Sequence, residues 1–471
     1  MNNEQIRTLF NTLQANFPAM QTPGLAVGIV DQNGLVAFKG LGFADRENQI
    51  PYTEKTLHFS GSTTKAITIM VLMLLKEQGY LDFDTPIKTY DPSFRMAGPY
   101  VENNVTIRDF MVHVSGLSEL DLVWLSKQPI TTSEVYETLA QAPMIHPFRV
   151  TFDYNNVTYG YLGILASRIT SKPYKDLVHD LIFKPLNMSQ AYIDFDDIMQ
   201  GTPLAKGYQW RHNHSERVHY DNIGALAAAG QMAVSAESMA QWISAQINAG
   251  RPLINEADYS YLTTPQIPAI HDDQTQASSY GGGWFIDSYR GEEIITHSGG
   301  IEGFETYIGY SKTKKIGYIV FSNGRYSGAN SIANRMVRDA VFSLPRIDWL
   351  ALTHQQMEEL ERSAAATRTT LESQLNETRN LEILAGIYSN PAYGTLELIK
   401  KDQYLIMNFN RNIQAIPLID LGNHRLRTES EYIMDFPLTF YLTLQADADL
   451  RLTALMEGQC FSVYFQPTRM K

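Results

Sequence analysis

Apolar and polar residues alternate near the N-terminus, in the segment GLAVGIVDQNGLVAFKGLG of residues 24–42. The pattern predicts two strands joined at Asn33-Gly34, because this dipeptide adopts the positive φ angles that two-residue hairpins need. Residues 65–78 are instead apolar nearly all round, and Gly79 follows them. This segment is predicted to be a helix that is buried on most faces and ends at the glycine.

The pattern changes again after that helix. Residues 107–188 are mostly helical in period, and alternating segments return at 281–300 and 306–324, where the sequence SKTKK of residues 311–315 predicts a polar turn. Helices inserted between an early hairpin and later strands predict an α+β domain whose sheet is closed by both ends of the sequence. We expect this domain to occupy residues 1–345.

The C-terminal part of the chain has a different character. Residues 346–380 hold polar and alanine-rich stretches of helical period, which predict a helical linker. Residues 381–471 show short alternating runs at intervals of roughly eight to twelve residues, a spacing typical of an antiparallel sandwich or small barrel. A third segment, all-β in structure, is therefore predicted for 381–471.

Composition narrows the class of protein and of partner. The 471 residues carry a formal net charge of -12, which argues against nucleic acid as a partner. A single cysteine, Cys460, excludes an intramolecular disulfide. The longest apolar run is too short for the roughly 20 residues that a membrane span needs. We therefore expect no membrane insertion and a cytoplasmic protein, or a periplasmic or secreted one if a signal has been removed.

The segment FSGSTTKAITIM places Ser62 and Lys65 three residues apart where the buried helix begins. Residues at this spacing share one face of a helix, so the lysine amine can reach the serine hydroxyl. A serine is a weak nucleophile at neutral pH and needs such a base, together with groups that stabilise an oxyanion. The backbone N–H groups at a helix N-terminus favour that negative charge. The pair is thus a candidate nucleophile and base, or merely the polar first turn of a core helix.

The spacing alone does not decide between these interpretations. A second S-x-x-K occurs at Ser311 and Lys314, in the predicted turn. The first pair, however, is followed by Tyr154-Asn155-Asn156 and then by His297-Ser298-Gly299, which is the only [KH]-[ST]-G sequence in the chain.

These three motifs, in this order and at similar spacing, resemble those of the serine β-lactamase and penicillin-binding-protein superfamily. The resemblance is to its class C β-lactamase-like branch, which includes D-aminopeptidases and family VIII esterases. It implies a β-lactamase/transpeptidase-like fold, with an antiparallel sheet flanked by helices and a helical subdomain. The C-terminal strands, beginning with LAGIYSNPAYGTLEL, are similar to the lipocalin-like barrel that some members append.

The resemblance also implies roles for individual residues. Ser62 would attack the carbonyl, Lys65 would activate it, and Tyr154 would assist proton transfer. Asn156, His297 and Ser298 would orient the substrate, and Asn156 would also orient Lys65. The backbone N–H groups of Ser62 and Gly300 would form the oxyanion hole, without metal or cofactor.

One departure from the family pattern bears on the substrate. His297 stands where β-lactamases and carboxypeptidases usually have lysine, and histidine is largely neutral at pH 7. This favours a small ester or a D-amino-acid amide or peptide as substrate. β-Lactamase or DD-carboxypeptidase activity is one alternative, and a non-catalytic scaffold that works through the C-terminal barrel is another. A homo-oligomer is compatible with each of these functions.

Other residues have competing interpretations. His113 and Ser115 are interpreted as part of a structural loop beside the site, and the cluster of His212, His214 and His219 as a polar surface loop rather than a metal site. Trp124 and Trp284 either wall an acyl pocket or pack in the core.

Overall fold

A computed structural model describes residues 1–117, 129–211, 214–269, 275–372, 384–390, 392–401, 404–409, 416–422, 425–428, 438–444, 450–456 and 459–467. The chain divides into two compact units. The first holds the described residues of 1–117 and 130–351, and the second holds those of 352–467 together with Pro129.

Most described helices lie in the first unit, and the last helix extends from the first unit into the second. In chain order they are α1 (Asn3–Asn16), α2 (Thr64–Glu77), α3 (Ile87–Tyr90), α4 (Pro99–Asn104), α5 (Ile107–Met111), α6 (Thr132–Gln141), α7 (Asn156–Thr170), α8 (Tyr174–Val178), α9 (Phe195–Gln200), α10 (Ala227–Gly230), α11 (Ala236–Ile247), α12 (Glu256–Leu262), α13 (Ala329–Phe342) and α14 (Trp349–Glu372). Short 3-10 turns occupy Phe17–Met20, Gly61–Thr63 and Gly224–Leu226.

The strands of the first unit are, in chain order, β1 (Gly24–Asp31), β2 (Gly34–Asp45), β3 (Ile50–Pro51), β4 (His58–Phe59), β5 (Ala191–Tyr192), β6 (Gly207–Arg211), β7 (His214–Val218), β8 (Ala233–Val234), β9 (Ile267–Pro268), β10 (Thr275–Tyr280), β11 (Phe285–Tyr289), β12 (Glu292–Ile301), β13 (Phe304–Ser311), β14 (Ile316–Ser322) and β15 (Gly324–Arg325).

Nine of these strands form the central antiparallel sheet, in the order β3-β2-β1-β14-β13-β12-β11-β10-β9. The predicted hairpin is confirmed, with Asp31 opposite Gly34 at its turn. The N-terminal strand β1 pairs with the late strand β14, so both ends of the domain's sequence close the sheet as predicted. Helices α11 and α13 contact β14. The α+β class is thus confirmed for this unit.

Helix α2 is the apolar helix that the sequence predicts. Every residue from Thr64 to Leu75 is buried, and the chain turns at Gly79 with a φ of 79°. Because a helix buried on all faces must be enclosed by other elements, α2 lies in the interior of the unit, in contact with α7, α8 and α10. The functional motif at its N-terminus is therefore attached to a rigid, enclosed element.

The second unit contains a closed antiparallel barrel of eight strands: β16 (Gly386–Asn390), β17 (Gly394–Lys401), β18 (Tyr404–Phe409), β19 (Ile416–Gly422), β20 (Arg425–Thr428), β21 (Leu438–Leu444), β22 (Leu450–Met456) and β23 (Gln459–Pro467). Alternate residues such as Leu405, Met407 and Phe409 on β18 are fully buried. Tyr388 pairs with Pro467 where the barrel closes. The small barrel is confirmed, while the boundaries at 345 and 380 stay predictions.

His58 is a buried polar residue of the first unit, on the strand that precedes the candidate nucleophile. Its Nδ1 lies 2.5 Å from the Tyr52 hydroxyl and its Nε2 lies 3.1 Å from Thr306 Oγ1. The ring stacks on Phe321 at a centroid distance of 4.4 Å. Burial lowers the pKa of His58 to about 3, so the ring is neutral in the folded protein.

We expect neutral His58 to make the protein sensitive to acid. The ring is protonated below about pH 6.5 in the unfolded chain but only below about pH 3 in the folded protein. The free energy of unfolding is therefore at its full value above about pH 6.5 and decreases by about 1.4 kcal/mol per pH unit as the pH falls towards about 3. Urea unfolding at about pH 7 and about pH 5 should show a loss for the wild type that exceeds the loss for His58→Gln by about 2 kcal/mol. Equal losses in the two proteins would contradict this assignment.

Candidate active site

Ser62 lies in the 3-10 turn Gly61–Thr63, between β4 and α2. Between residues 56 and 75 it is the only residue that is not buried. The hydroxyls of the neighbouring residues are bonded to backbone carbonyls, with Thr63 Oγ1 donating to Ser60 O at 3.1 Å and Thr64 Oγ1 donating to Gly61 O at 2.7 Å. The turn is therefore held by its own side chains and presents one accessible hydroxyl.

The amine of Lys65 connects the first two motifs. Its Nζ donates to Ser62 Oγ at 3.1 Å, to Asn156 Oδ1 at 2.6 Å and to Ala229 O at 2.9 Å. The lysine is fully buried, so groups of the protein hold its amine in place. These three contacts fix the amine beside the serine hydroxyl.

The Y-x-N motif lies where the chain enters α7. Asn155 is the N-cap of this helix, and its Oδ1 accepts a hydrogen bond from Thr158 N–H at 3.1 Å. The cap places Tyr154 just before the helix and Asn156 in its first turn. The ring centroid of Tyr154 lies 4.6 Å from Lys65 Nζ. Capping by the middle residue of the motif thus brings its outer two residues to the same amine.

The third motif lies on β12. Its backbone lies against the backbone of the turn Gly61–Thr63, here called the nucleophile turn. A Cβ added to Gly299 would lie 2.0 Å from Ser60 O, and one added to Gly61 would lie 2.7 Å from Gly300 N. Only glycine permits these approaches, and Gly61 also has a φ of 56°. The amides of Ser62 and Gly300, predicted to form the oxyanion hole, belong to these two adjoining segments.

His297 is held behind the accessible surface of the third motif. Its side chain is buried, whereas Ser298 is half-buried and Gly300 is exposed. His297 Nδ1 lies 2.6 Å from Ser298 O, which can only accept, so Nδ1 carries a proton. His297 Nε2 lies 3.1 Å from the Tyr280 hydroxyl, so both ring nitrogens contact groups of the protein.

Sequence reasoning missed Tyr280 and the carbonyl of Ala229. Tyr280 ends β10, two strands from β12, and burial raises its pKa well above the usual range, so it remains a hydroxyl donor. A tyrosine before a run of glycines carries no recognisable signal in one sequence. A backbone carbonyl carries none at all, because every residue has one.

The competing motifs and residues are distinguished by their surroundings. Lys314 lies in the turn after β13, its Nζ 3.7 Å from Glu292, and its N–H donates to Ser311 Oγ, which confirms the polar turn. Trp284 is buried and stacks on Trp242 at 6.3 Å, as expected for core packing. Trp124 and His212 lie outside the described residues.

The part of the chain that the structure describes contains no cluster of three or more histidine, cysteine, aspartate or glutamate side chains arranged to hold a metal ion. Within the same residues, no helix has both the length and the apolar character needed to cross a membrane.

Comparison with known proteins supplies the family. The model of the family described as Beta-lactamase matches residues 10–342, which include all three motifs. The chain belongs to the beta-lactamase family. It is thus a serine hydrolase by family and fold.

Similar proteins of this family agree with that assignment. The chain is 26% identical over 459 residues to the unguisins hydrolase ungD of Aspergillus violaceofuscus, covering 89% of this chain and 78% of that protein. It matches the octameric penicillin-binding protein homologue of Pyrococcus abyssi with a TM-score of 0.66, 20% identity and coverage of 95% and 98%. The class C beta lactamase of Rhodobacter sphaeroides matches with a TM-score of 0.59 and 19% identity, covering 71% of this chain and 99% of that one.

The two glycines at the ends of α2 provide a test of the close approach to β12. Gly61 and Gly79 both have positive φ, but a Cβ on Gly79 would meet no atom within 4 Å. Each change to alanine should cost about 1 to 2 kcal/mol for the left-handed conformation. Gly61→Ala should in addition lower kcat/KM about 100-fold, because it displaces the amide of Gly300.

Urea unfolding of Gly61→Ala and Gly79→Ala, together with their rates of ester hydrolysis, would check this expectation. Gly79→Ala is the matched control, since it shares the helix and the backbone strain but lies at the other end. Equal activity of the two variants would show that the contact between Gly61 and Gly300 does not shape the site.

Proposed function

We propose that this chain hydrolyses its substrate through an acyl-enzyme on Ser62, and that the substrate is a small ester or a D-amino-acid amide or peptide. The observation that carries the proposal is the placement of Lys65 Nζ between Ser62 Oγ and Asn156 Oδ1. A buried amine in direct contact with a hydroxyl is the arrangement that activates a serine nucleophile. The relative named a hydrolase supports the same class of reaction.

In the proposed mechanism, Lys65 in its neutral form takes the proton of Ser62 as Oγ attacks the substrate carbonyl. The resulting oxyanion is stabilised by the N–H groups of Ser62 and Gly300. Tyr154 assists transfer of the proton to the leaving alcohol or amine, which departs and leaves an ester on Ser62. A water molecule then loses a proton to the same groups and attacks the ester. The acid is released as this proton is transferred to Ser62 Oγ, which regenerates the hydroxyl.

The substrate preference is argued from the third motif. His297 uses both ring nitrogens within the protein, on Ser298 O and on Tyr280. The accessible side chain of the motif is therefore the neutral hydroxyl of Ser298 rather than a cation. A neutral group is a weaker partner for a substrate carboxylate than the lysine common in related enzymes, so esters and amides without that carboxylate are favoured.

One observation favours the alternative of a carboxylate-bearing substrate, such as a β-lactam or a D-Ala-D-Ala end. The guanidinium of Arg325 lies against Gly300, where a Cβ would be 3.4 Å from its nearest nitrogen. Arginine pairs well with carboxylates. Because Arg325 lies next to the residue that follows the third motif, it is the residue to mutate when the two substrate classes are compared.

Labelling with a fluorophosphonate tests the nucleophile. The wild type should be labelled on the peptide that contains Ser62, and Ser62→Ala should not be labelled. Ser311→Ala is the matched control, because it removes the serine of the other S-x-x-K pair and should label normally. Lys65→Met should label at least about 1,000-fold more slowly, since the hydroxyl loses its base. Normal labelling of Ser62→Ala would refute the assignment.

Paired substrates test the preference. A D-amino-acid peptide with a free C-terminal carboxylate and the same peptide with a C-terminal primary amide have nearly the same shape and differ chiefly in that charge. We expect kcat/KM for the neutral member to be at least about tenfold higher, since the carboxylate loses water without a strong partner. Faster turnover of the carboxylate form, or of a chromogenic cephalosporin, would favour the alternative, and Arg325→Gln should then abolish the advantage.

Homo-oligomer formation and a scaffold role for the C-terminal barrel stay predictions. The Pyrococcus abyssi homologue, which shares the fold over 95% of this chain, is octameric.

A further inference from the structure

His113 follows α5 and lies against the Y-x-N motif. It is 1% exposed and has a φ of 58°, a left-handed conformation that is uncommon for a residue with a side chain. Residues held in such conformations are concentrated at functional sites, where the surrounding structure offsets their cost. The conformation of this residue therefore calls for a specific role beyond that of a structural loop.

The residue binds the peptide groups on both sides of Tyr154. The N–H of Asp153 donates to His113 O at 2.8 Å. The N–H of Asn155 donates to His113 Nδ1 at 3.0 Å. One residue thus holds the backbone on both sides of the tyrosine.

The imidazole ring also contacts the tyrosine ring itself. The ring centroids of His113 and Tyr154 lie 4.5 Å apart at an interplanar angle of 32°. The imidazole also contacts two other aromatic rings, with centroid distances of 4.9 Å to Tyr159 and 5.1 Å to Tyr280. Tyr154 is therefore restrained by two backbone hydrogen bonds and by a ring that is itself packed on aromatic side chains.

This arrangement requires a neutral histidine. Nδ1 accepts a hydrogen bond, so the proton of the neutral ring is on Nε2, which is buried without a hydrogen-bond partner among the described residues. Burial, followed by the electrostatic influence of Lys65 and His297 in their protonated forms, holds the pKa of His113 well below its ordinary value. An unsatisfied buried donor costs free energy, which a residue selected only for packing would not need to carry.

We propose that His113 is the positioning residue of Tyr154, holding the phenol at the Lys65 amine through the two flanking peptide groups and the stacked ring. The inference rests on the proposed role of Tyr154 in proton transfer. It predicts that loss of His113 acts on the reaction through the tyrosine rather than through stability alone.

Two substitutions separate the hydrogen bond from the backbone conformation. His113→Asn tolerates positive φ and can place Oδ1 where Nδ1 was, whereas His113→Gly keeps the backbone conformation and the carbonyl that binds Asp153 N–H but removes the ring and its acceptor. We expect the glycine variant to lose about 100-fold in kcat with little change in KM. The asparagine variant should retain about a tenth of wild-type kcat or more, because it keeps the acceptor.

Ser171→Gly is the matched control, since Ser171 also has a positive φ, at the other end of α7, and lies outside the site. It should have wild-type kcat. A double-mutant cycle with Tyr154→Phe then tests the route of the effect. If His113 acts through the tyrosine, adding His113→Gly to Tyr154→Phe should lower kcat less than about threefold further. Multiplied losses would overturn the proposal.

Crystal structures give a readout that does not depend on activity. In His113→Gly the ring of Tyr154 should move by about 1 Å or more from its place 4.6 Å from Lys65 Nζ. An unmoved ring would refute the positioning role even if the variant were inactive. Failure of the wild type to label at Ser62 would refute the proposed hydrolase mechanism instead, and would leave the structural measurement to decide on His113.

Discussion

A buried lysine amine needs hydrogen-bond acceptors on every side, and the rest of the first unit depends on meeting that need. Lys65 has no exposed surface, so water cannot supply the partners. The three acceptors come from three separate elements: the turn before α2, the start of α7 and the carbonyl at the end of α10. Packing these elements around one amine satisfies its donors and places the candidate nucleophile, base and orienting amide together.

A second constraint joins this helical part to the sheet. The nucleophile turn and β12 approach so closely that glycine is required at Gly61 and Gly299. The register of β12 with β13 then fixes which residues face the site, with Ser298 accessible and His297 turned into the wall. The rings of His113 and His297 lie 4.5 and 6.4 Å from that of Tyr154. Burial holds the pKa of His113 well below its ordinary value, so this ring is uncharged beside the amine that the proposed mechanism uses.

Much of the fold could be predicted because its signals are local. The Asn33-Gly34 turn, the apolar period of α2 and the alternation of the barrel strands are each contained in a short segment. The three motifs were recognisable through their residue types, order and spacing. Ser311 and Lys314 match the first motif equally well, and only the long-range fold places Asn156 beside one lysine and Glu292 beside the other.

The remainder depended on contacts between distant residues or on the backbone. The carbonyl of Ala229 has no signature, and the bond between Tyr280 and His297 requires the strand order of the sheet. His113 was predicted to be structural because neither its left-handed backbone nor the two peptide groups that it holds can be inferred from the letters HVSGL. In each case the missing information was three-dimensional rather than chemical.

We propose that the held amine of Lys65 makes Ser62 form a covalent intermediate. Rapid quenching during turnover of a p-nitrophenyl ester, followed by peptide mass analysis, measures this directly. We expect a burst of p-nitrophenol equal in amount to the enzyme present and an acyl group on the Ser62 peptide, both of which should be lost in Lys65→Met. Continued turnover with no acyl group on that peptide, or with the acyl group elsewhere, would contradict it.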